Sequence, residues 1–308
     1  MQFRQLRYFV KIVEAGSFSR ASAAIHVAQP ALSQQIAELE DRLGVKLLNR
    51  SARGVSATAA GEVLYREASS ILHQLDLLPT VAKSQSGEPE GAVSVGIASS
   101  LAPILIGSLI AHVKIALPKV KLKVSDGDSE SLENGVDSSG LDLAVIYEDE
   151  LVSRFAREPL FRQRLCLVGA QPPAEPGKSS VTLEEIARLP LTLPGIPNGR
   201  RALIDRTFAE HGLTPNIVAE TDSLSSELLT VKTGIAHTLL PVTNPKNFLD
   251  QGLAQPLPID ADLHLTCSII SSSDFPLSRA GEAVRILLTE FIEAELHERS
   301  VFGLEWIK

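Results

Sequence analysis

One helical segment near the amino terminus constrains the fold of this chain most strongly. Residues 26–40 read HVAQPALSQQIAELE. The apolar residues of this segment and its continuation recur at spacings of four, three and four: Leu32, Ile36, Leu39 and Leu43. This spacing predicts an amphipathic helix with one narrow face against a core. The opposite side carries a mainly polar set: Pro30, Gln34, Ala37, Glu38 and Asp41. Pro30 fits because the N–H that a first-turn proline lacks would have no helical partner.

Two shorter helices are predicted before this one. Residues 3–14 place apolar side chains at helical spacing, and Gly16 ends the run. An alanine-rich stretch, SRASAAIH, follows at residues 19–26 with Ser17 and Ser19 as possible caps. A turn of three or four residues then leads into the longer helix. The arrangement predicts a helix-turn-helix motif.

The charge of the chain is unevenly distributed. The whole chain carries a net charge of −8, yet residues 1–66 hold nine basic and five acidic side chains, a net +4. The remainder holds 20 basic and 32 acidic residues, a net −12. A basic head on an acidic body suggests that the head alone meets a polyanion, although chance asymmetry is the alternative.

Only the first two turns of the longer helix suit a DNA groove. Glu38 and Asp41 would be repelled by phosphates, whereas the start of a recognition helix enters the major groove. There Gln29 and Gln34 can offer paired donor and acceptor groups to an adenine edge, and Ser33 can contact a base or a phosphate. The polar residues at the start of this helix therefore predict base recognition.

A basic segment follows the helix directly. KLLNRSARGVSATAAG, residues 46–61, places Arg50 and Arg53 beside Gly54, as in a wing whose arginines approach the phosphate backbone or the minor groove. Each arginine taken separately could equally lie on a solvated surface.

A long helix is predicted over residues 59–83. Its apolar residues alternate spacings of four and three: Leu64, Ala68, Ile71, Leu75, Leu78 and Ala82. Such a seam favours packing on a second copy of the chain, and packing on its own domain is the alternative. Pro79 is expected to kink or end the helix. SQSGEPEG, residues 84–91, reads as a flexible linker.

From Ala92 onward, strands and helices alternate. The predicted strands are 93–97, 120–124, 141–147, 164–170, 191–193, 216–220, 235–240 and 265–271. The predicted helices are about 101–116, 129–136, 182–188, 199–211, 223–233 and 278–298. This order indicates two α/β lobes with parallel sheets, joined by crossovers near 160 and 266 and separated by a cleft.

Residues 6–61 resemble the amino-terminal domain of LysR-type transcriptional regulators. The resemblance rests on GSFSRAS, QPALS, IAELE, LGVKLLNR, RGV and TAAG in this order, and the block is also similar to the nitrogen-assimilation-control type within that family. Two departures from the family pattern matter: Ala28 stands where a capping Ser or Thr is frequent, and Gln34 where Arg is also common.

The resemblance implies a fold and a set of partners. The fold class is α/β with an all-α head. It comprises a winged helix-turn-helix domain at 1–58, a linker helix and hinge at 59–91, and an effector-binding domain at 92–308 that is two-lobed like periplasmic binding proteins. Lobe I would cover about 92–160 and 267–308, and lobe II about 161–266.

The matched positions Gln29, Pro30, Ser33 and Gln34 would face the groove, and Arg50 and Arg53 would belong to the wing. The expected partners are double-stranded DNA with an inverted repeat and a small-molecule effector. Further copies of the chain are also expected, as a dimer through the linker helix and then a tetramer, as is RNA polymerase if the protein activates.

The effector is expected at the carboxyl ends of strands, where helix amino termini and hydroxyls converge in a way that suits an anion. The alternative is that these serines only cap helices. The candidate effector-binding residues are Ser99, Ser100, Leu101, Ser129, Pro194, Gly195, Asn198 and Thr221.

Other function classes are disfavoured. The amino terminus does not read as a signal peptide and no apolar run is long enough to span a bilayer, so a cytoplasmic protein without membrane contact is expected. The seven histidines show no metal-ligand spacing, and there is no Walker loop, GxSxG elbow or dinucleotide fingerprint. No metal, cofactor or catalytic residue is therefore predicted. Cys166 and Cys267 are expected to be buried thiols, with a redox pair as the alternative. A solute-binding protein and an α/β enzyme are the rival functions.

Overall fold

The computed structural model describes residues 2–51, 54–83, 88–149, 154–171, 179–221, 223–298, 301 and 303–307, without the side chains at 73, 74, 76–83, 247 and 298. The chain divides into two compact units. The first comprises residues 1–87 with 137–140, and the second residues 88–136 with 141–308. None of the helices in the described ranges is long and apolar enough to cross a membrane.

The first unit begins with three helices, as predicted: α1 Phe3–Ala15, α2 Phe18–Ile25 and α3 Gln29–Leu43. Gly16 ends α1 in a left-handed conformation with φ 59°, which a glycine adopts without steric cost. Ser17 then caps α2 by accepting a hydrogen bond from the backbone of Arg20. Local capping thus sets the tight connections that a helix-turn-helix motif needs.

The apolar face of α3 forms the centre of this unit. Leu32, Ile36 and Leu39 are fully buried, together with residues of α1 such as Phe9. Full burial of each such side chain stabilises the fold by about 1.5–3 kcal/mol. The prediction was wrong for Leu43, which is 40% exposed. It is the last residue of α3, and Gly44 turns the chain away from the core there.

A two-stranded hairpin follows α3. β1 Leu48–Ser51 pairs antiparallel with β2 Gly54–Ala57. Gly54 has φ 132°, and a Cβ there would lie 2.7 Å from the carbonyl oxygen of Gly16. The amide of Val55 donates to that same oxygen at 2.9 Å. A glycine is therefore needed for the hairpin to dock on the turn between α1 and α2.

Helix α4 spans Ala59–Lys83 and runs through Pro79, so Pro79 does not end the helix, and a kink at Pro79 stays a prediction. Its first half packs within its own unit, because Ala68 and Leu72 are buried in the same core as α1 and α3. Leu64 and Leu75 pack against that core as well. The first half of α4 therefore packs on its own domain, which was the alternative to packing on a second copy of the chain. The side chains of Leu78 and Ala82 lie outside the described residues.

The second unit contains a large mixed sheet of β3 Gly91–Ala98, β4 Val120–Gly127, β5 Leu143–Glu148, β6 Phe155–Val168, β9 Thr238–Pro241, β10 Leu257–Pro258, β11 His264–Ser272 and β12 Leu304–Trp306. A separate parallel pair consists of β7 Leu191–Leu193 and β8 Ile217–Glu220. Its helices are α5 Ala102–Ala116, α6 Ser129–Asp137, α7 Leu183–Ile186, α8 Gly199–Glu210, α9 Leu224–Lys232, α10 Pro245–Asp250 and α11 Arg279–Glu298.

The parallel arrangement was predicted only in part. β3 pairs in parallel with β4 and β5, but β11 is antiparallel to both β5 and β6. β6 and β11 pass through the positions near 160 and 266 where crossovers were expected, and β6 continues to pair with β9. Two long paired strands thus connect the two lobes. The short elements α10, β10 and β12 were not predicted.

Candidate nucleic-acid interface and effector cleft

The start of α3 presents a compact polar surface. Gln29, Pro30 and Gln34 are exposed and Ser33 is half-buried. Pro30 lies in the first turn, and Ala28 at the cap position makes no side-chain hydrogen bond. The first turn thus keeps backbone N–H groups that no capping side chain occupies.

Neighbouring side chains hold the two glutamines in this surface. The hydroxyl of Ser19 in α2 donates to Oε1 of Gln29 at 3.1 Å. Nε2 of Gln34 donates to Oε1 of Glu38 at 3.0 Å, and Nε2 of Gln35 donates to Oε2 of Glu38 at 2.9 Å. Each predicted base-reading glutamine is therefore already hydrogen-bonded within the helix pair.

Arg50 joins the wing to this surface. Its Nη1 donates to the hydroxyl of Ser33 at 3.0 Å, and its guanidinium lies 4.4 Å from the centroid of the Phe18 ring. The cation is thereby held beside the first turns of α3. Arg53 lies outside the described residues. The structure thus brings together five of the six predicted DNA-binding residues: Gln29, Pro30, Ser33, Gln34 and Arg50.

Glu40, whose role the sequence did not reveal, fixes where the wing begins. It is 5% exposed and accepts hydrogen bonds from the amides of Leu47 and Leu48 at 2.9 and 3.3 Å. Lys46 contacts it at 2.7 Å. Burial alone would raise the pKa of Glu40, but the Lys46 ammonium and the two amides outweigh it and lower that pKa. The Glu40 carboxylate therefore connects helix α3 to the start of the wing.

The second unit contains a cleft with a cavity of about 610 Å³. Its walls come from both lobes, at the carboxyl ends of β3 and β4 and at the starts of α6, α8 and α9. Six of the predicted effector-binding residues line it: Ser99, Ser100, Ser129, Pro194, Asn198 and Thr221. The structure therefore brings together the strand-to-helix junctions that contain these six residues, as the sequence predicts.

Two predicted cleft residues do not line this cavity. Leu101 is fully buried, because its carbonyl starts α5 and its side chain joins the core. Gly195 lies outside the cavity lining. A position at the end of a strand therefore does not by itself place a residue in the cavity lining, since only one side of each turn faces the cleft.

The hydroxyls that were predicted to bind an effector differ in what they contact. Ser129 accepts a hydrogen bond from the amide of Tyr147 at 3.1 Å, and Ser99 donates to Asp126 at 3.2 Å. The Oγ1 atom of Thr221 is buried without a hydrogen-bond partner among the described residues. Thr221 thus has an unused polar atom beside the cavity.

An ion pair that the sequence did not suggest lines the second lobe of the cleft. Arg200 binds both oxygens of Glu227, at 2.7 and 3.0 Å, and donates to the carbonyl oxygen of Leu239 at 2.8 Å. Glu227 is 1% exposed and also accepts a hydrogen bond from Thr238. The guanidinium is therefore already neutralised within the protein.

The expectation of an anionic effector stays a prediction, and the contacts at the helix starts give it little support. The starts of three helices are capped by protein side chains, since Asp128, Asn198 and Ser223 accept from the backbone of α6, α8 and α9 respectively. Pro103 removes one N–H from the first turn of α5. The described residues that line the cavity include three carboxylates and one arginine. The lining is thus net negative, which disfavours a carboxylate ligand.

The cysteines are structural. Cys166 and Cys267 are both fully buried and unpaired. Burial raises the pKa of Cys166 to about 12 and that of Cys267 well above its usual value, so neither thiol forms a reactive thiolate at neutral pH. Within the described ranges, no cluster of His, Cys, Asp and Glu has the geometry of a metal site.

Comparison with known proteins agrees with this architecture. Residues 3–62 match the model of the bacterial regulatory helix-turn-helix protein, lysR family, and residues 86–293 match that of the LysR substrate binding domain. The nitrogen assimilation regulatory protein nac of Klebsiella aerogenes is 32% identical over 294 residues, covering 95% of both chains. The Escherichia coli protein of the same name is 31% identical and covers 99% of both.

A solved structure shows the same fold. The structure of full-length CbnR complexed with its target DNA has a TM-score of 0.61 at 21% identity, covering 97% of this chain and all of the other. The two nac relatives are regulatory proteins rather than enzymes, and the likeness to the nitrogen-assimilation-control type is confirmed. With its helix-turn-helix unit and its effector-binding domain, the chain belongs to the LysR family of DNA-binding transcriptional regulators.

Proposed function

We propose that the start of α3 reads base edges in the major groove and that the wing binds the DNA backbone or minor groove. Gln29, Pro30, Ser33 and Gln34 would form the reading surface. Arg50 and Arg53 would supply the positive charge. The observation that carries this proposal is the contact of Arg50 with Ser33 and Phe18, because it places a fixed cation beside exposed polar side chains.

LysR-type regulators oligomerise and bind DNA and small-molecule effectors. For this chain, we propose functional segments at 1–58, 59–91 and 92–308. Copies would associate first through α4 as a dimer and then as a tetramer. Two heads would read an inverted repeat in the cytoplasm, and RNA polymerase would be a further partner if the protein activates transcription.

The effector would occupy the cavity of the second unit. Ser100, Thr221 and Asn198 would supply polar contacts from both lobes. Ligand contacts that span both lobes favour one particular separation of them, which is the physical route from binding to a change in DNA contact. Solute binding alone and enzymatic turnover have no comparable support.

Replacing Arg50 by alanine tests the DNA-binding surface. Loss of one fixed phosphate contact, together with the release of Ser33, should weaken operator binding roughly tenfold. Fluorescence anisotropy of labelled duplex at fixed salt measures this. Arg154→Ala is a matched control, since Arg154 also lies over an aromatic ring, that of Phe155 at 4.7 Å, but in the second unit. Equal effects of the two substitutions would contradict the assignment.

A further inference from the structure

An ion pair joins the end of β5 in lobe I to a helix of lobe II. The two carboxylate oxygens of Asp149 accept hydrogen bonds from Nη1 and Nη2 of Arg206 at 2.8 and 2.7 Å. Asp149 directly follows β5, whereas Arg206 lies in α8. The pair therefore links the two lobes at a place other than β6 and β11, the strands that run between them.

The register of α8 directs Arg206 toward this carboxylate. Gly199, the first residue of α8, precedes Arg206 by seven positions, or about two turns, so both residues lie on the same side of the helix. A Cβ at Gly199 would lie 3.9 Å from the backbone nitrogen of Asp149. Long helical side chains lean toward the helix start, which carries the guanidinium back toward Asp149. One side of α8 thus faces the end of β5.

The geometry of the pair favours one separation of the lobes. A planar guanidinium that binds both oxygens of a carboxylate fixes the distance and the angle between the two groups. The side chain of Asp149 is 9% exposed, and that of Arg206 is 43% exposed. Without its cation, the carboxylate would be poorly solvated at this separation and would regain water if the lobes moved apart. The pair therefore stabilises the contact between the lobes rather than the fold of either lobe.

The helix that carries Arg206 also forms a wall of the effector cavity. Gly199 and Arg200 at the start of α8 line the cavity, and Ser99 and Ser100 line it from lobe I. If α8 moved away from the end of β5, one wall of the cavity would move away from the other. The width of the cavity therefore depends on the contact that Arg206 makes.

We propose that Asp149 and Arg206 form an interlobe latch, which holds the effector cavity at the width that it has in the structure. An effector that contacts both lobes would then bind a preorganised cavity. Without the latch, its affinity would fall in proportion to the fraction of chains whose lobes keep this separation. That consequence rests on the proposed function of the cavity, whereas the latch itself does not.

Distances between spin labels on the two lobes test the latch in the full chain. Cysteines replace two exposed lysines, Lys123 of β4 and Lys232 at the end of α9, and carry nitroxide labels. Cys166 and Cys267 are fully buried and should not take the label. An excess of unlabelled chains ensures that pulsed electron–electron double resonance reports distances within one chain.

Arg206→Glu should change the distribution of these distances. The substitution removes the ion pair and places two carboxylates against each other. The ratio of chains at other distances to chains at the native distance should therefore rise roughly tenfold. Adding Asp149→Asn to this variant should restore most of the native distribution, because a neutral amide removes the repulsion and can donate a hydrogen bond to the new carboxylate.

Arg154→Glu is the matched control. Arg154 pairs with Glu133 at 2.7 Å and is 45% exposed, close to the value for Arg206, but both members of this pair lie in lobe I. Reversing its charge also places two carboxylates against each other. The distance between the lobes should nevertheless stay as it is in the native chain.

Three results would overturn the latch. An unchanged distribution in Arg206→Glu would show that other contacts set the separation of the lobes. A failure of Asp149→Asn to restore the native distances would show that Arg206 acts through another group. An equal change in Arg154→Glu would make the effect a general one of charge reversal. No effector enters these measurements, so the latch can fail while the proposed effector site stands, and a failure of that site would leave the expected distances unchanged.

Discussion

Glu40 connects the reading helix to the wing through a single carboxylate. Because its pKa is lowered in the folded chain, the ionised form stabilises the fold. That contribution is fully present above the ordinary pKa of 4.5 and is lost as pH falls through the lower folded value. The position of the wing should therefore depend on pH only under acidic conditions.

Glu40→Gln is expected to loosen this connection. Both backbone amides donate to Oε1, which the amide oxygen can replace, but the substitution removes the charge and the Oε2 atom that accepts from Lys46. The start of the wing should therefore be destabilised by about 1–2 kcal/mol at pH 7. Hydrogen exchange of the Leu47 and Leu48 amides measures this, after correction for the intrinsic pH dependence of exchange. The difference from the native chain should shrink as pH falls below the ordinary pKa of 4.5 and through the lower folded value. Equal protection in both proteins at pH 7 would contradict the role of Glu40.

A residue of the cleft could be predicted from the sequence where the neighbouring residues alone determine its position. Ser99 and Thr221 follow strands directly, so their place at a strand end could be read from the alternation of elements. The pair of Arg200 and Glu227 could not, because the two residues are 27 positions apart with no characteristic spacing. Asn198 lines the cavity but also caps α8, a dual position that only the folded chain reveals.

Among the elements, α4 shows what an apolar pattern can and cannot predict. The spacing of Leu64, Ala68 and Leu75 identified a helix with one apolar face, but not the partner of that face. In the structure this face meets the core of its own unit. Ile71 remains 38% exposed, whereas its neighbour Leu72 is 8% exposed. Ile71 is therefore the most exposed of the predicted seam residues whose side chains the structure describes, and it is the one left for self-association.

Substitutions at these two neighbouring positions separate folding from association. Ile71→Ser should weaken the proposed dimer with little loss of stability, since the side chain is 38% exposed. Leu72→Ser should destabilise the first unit by about 2–4 kcal/mol, because it leaves a cavity and buries a hydroxyl. Sedimentation velocity reports the association state and circular dichroism the helix content. A fully dimeric Ile71→Ser protein would exclude this face of α4 as the contact.

On the scale of the whole molecule, the division into a basic helical head and an acidic α/β body was predictable because both charge and periodicity change along the chain. The path of β6 and β11 was not. Their apolar runs indicated strands, but an apolar run does not specify whether a strand pairs parallel or antiparallel. The order of pairing depends on contacts between residues more than 100 positions apart, such as Cys267 with Phe161.

The exposed start of α3 is the proposed surface through which this regulator recognises its operator. The measurement that tests it most directly compares the native chain with a triple variant, Gln29→Ala, Ser33→Ala and Gln34→Ala, for binding to a selected operator and to a scrambled duplex. The three side chains are exposed or half-buried, so the fold should persist, as circular dichroism would confirm. We expect that the native preference for the operator, at least about a hundredfold, is lost in the variant while weak binding to both duplexes remains. A variant that keeps the native preference would show that these three side chains do not read the operator.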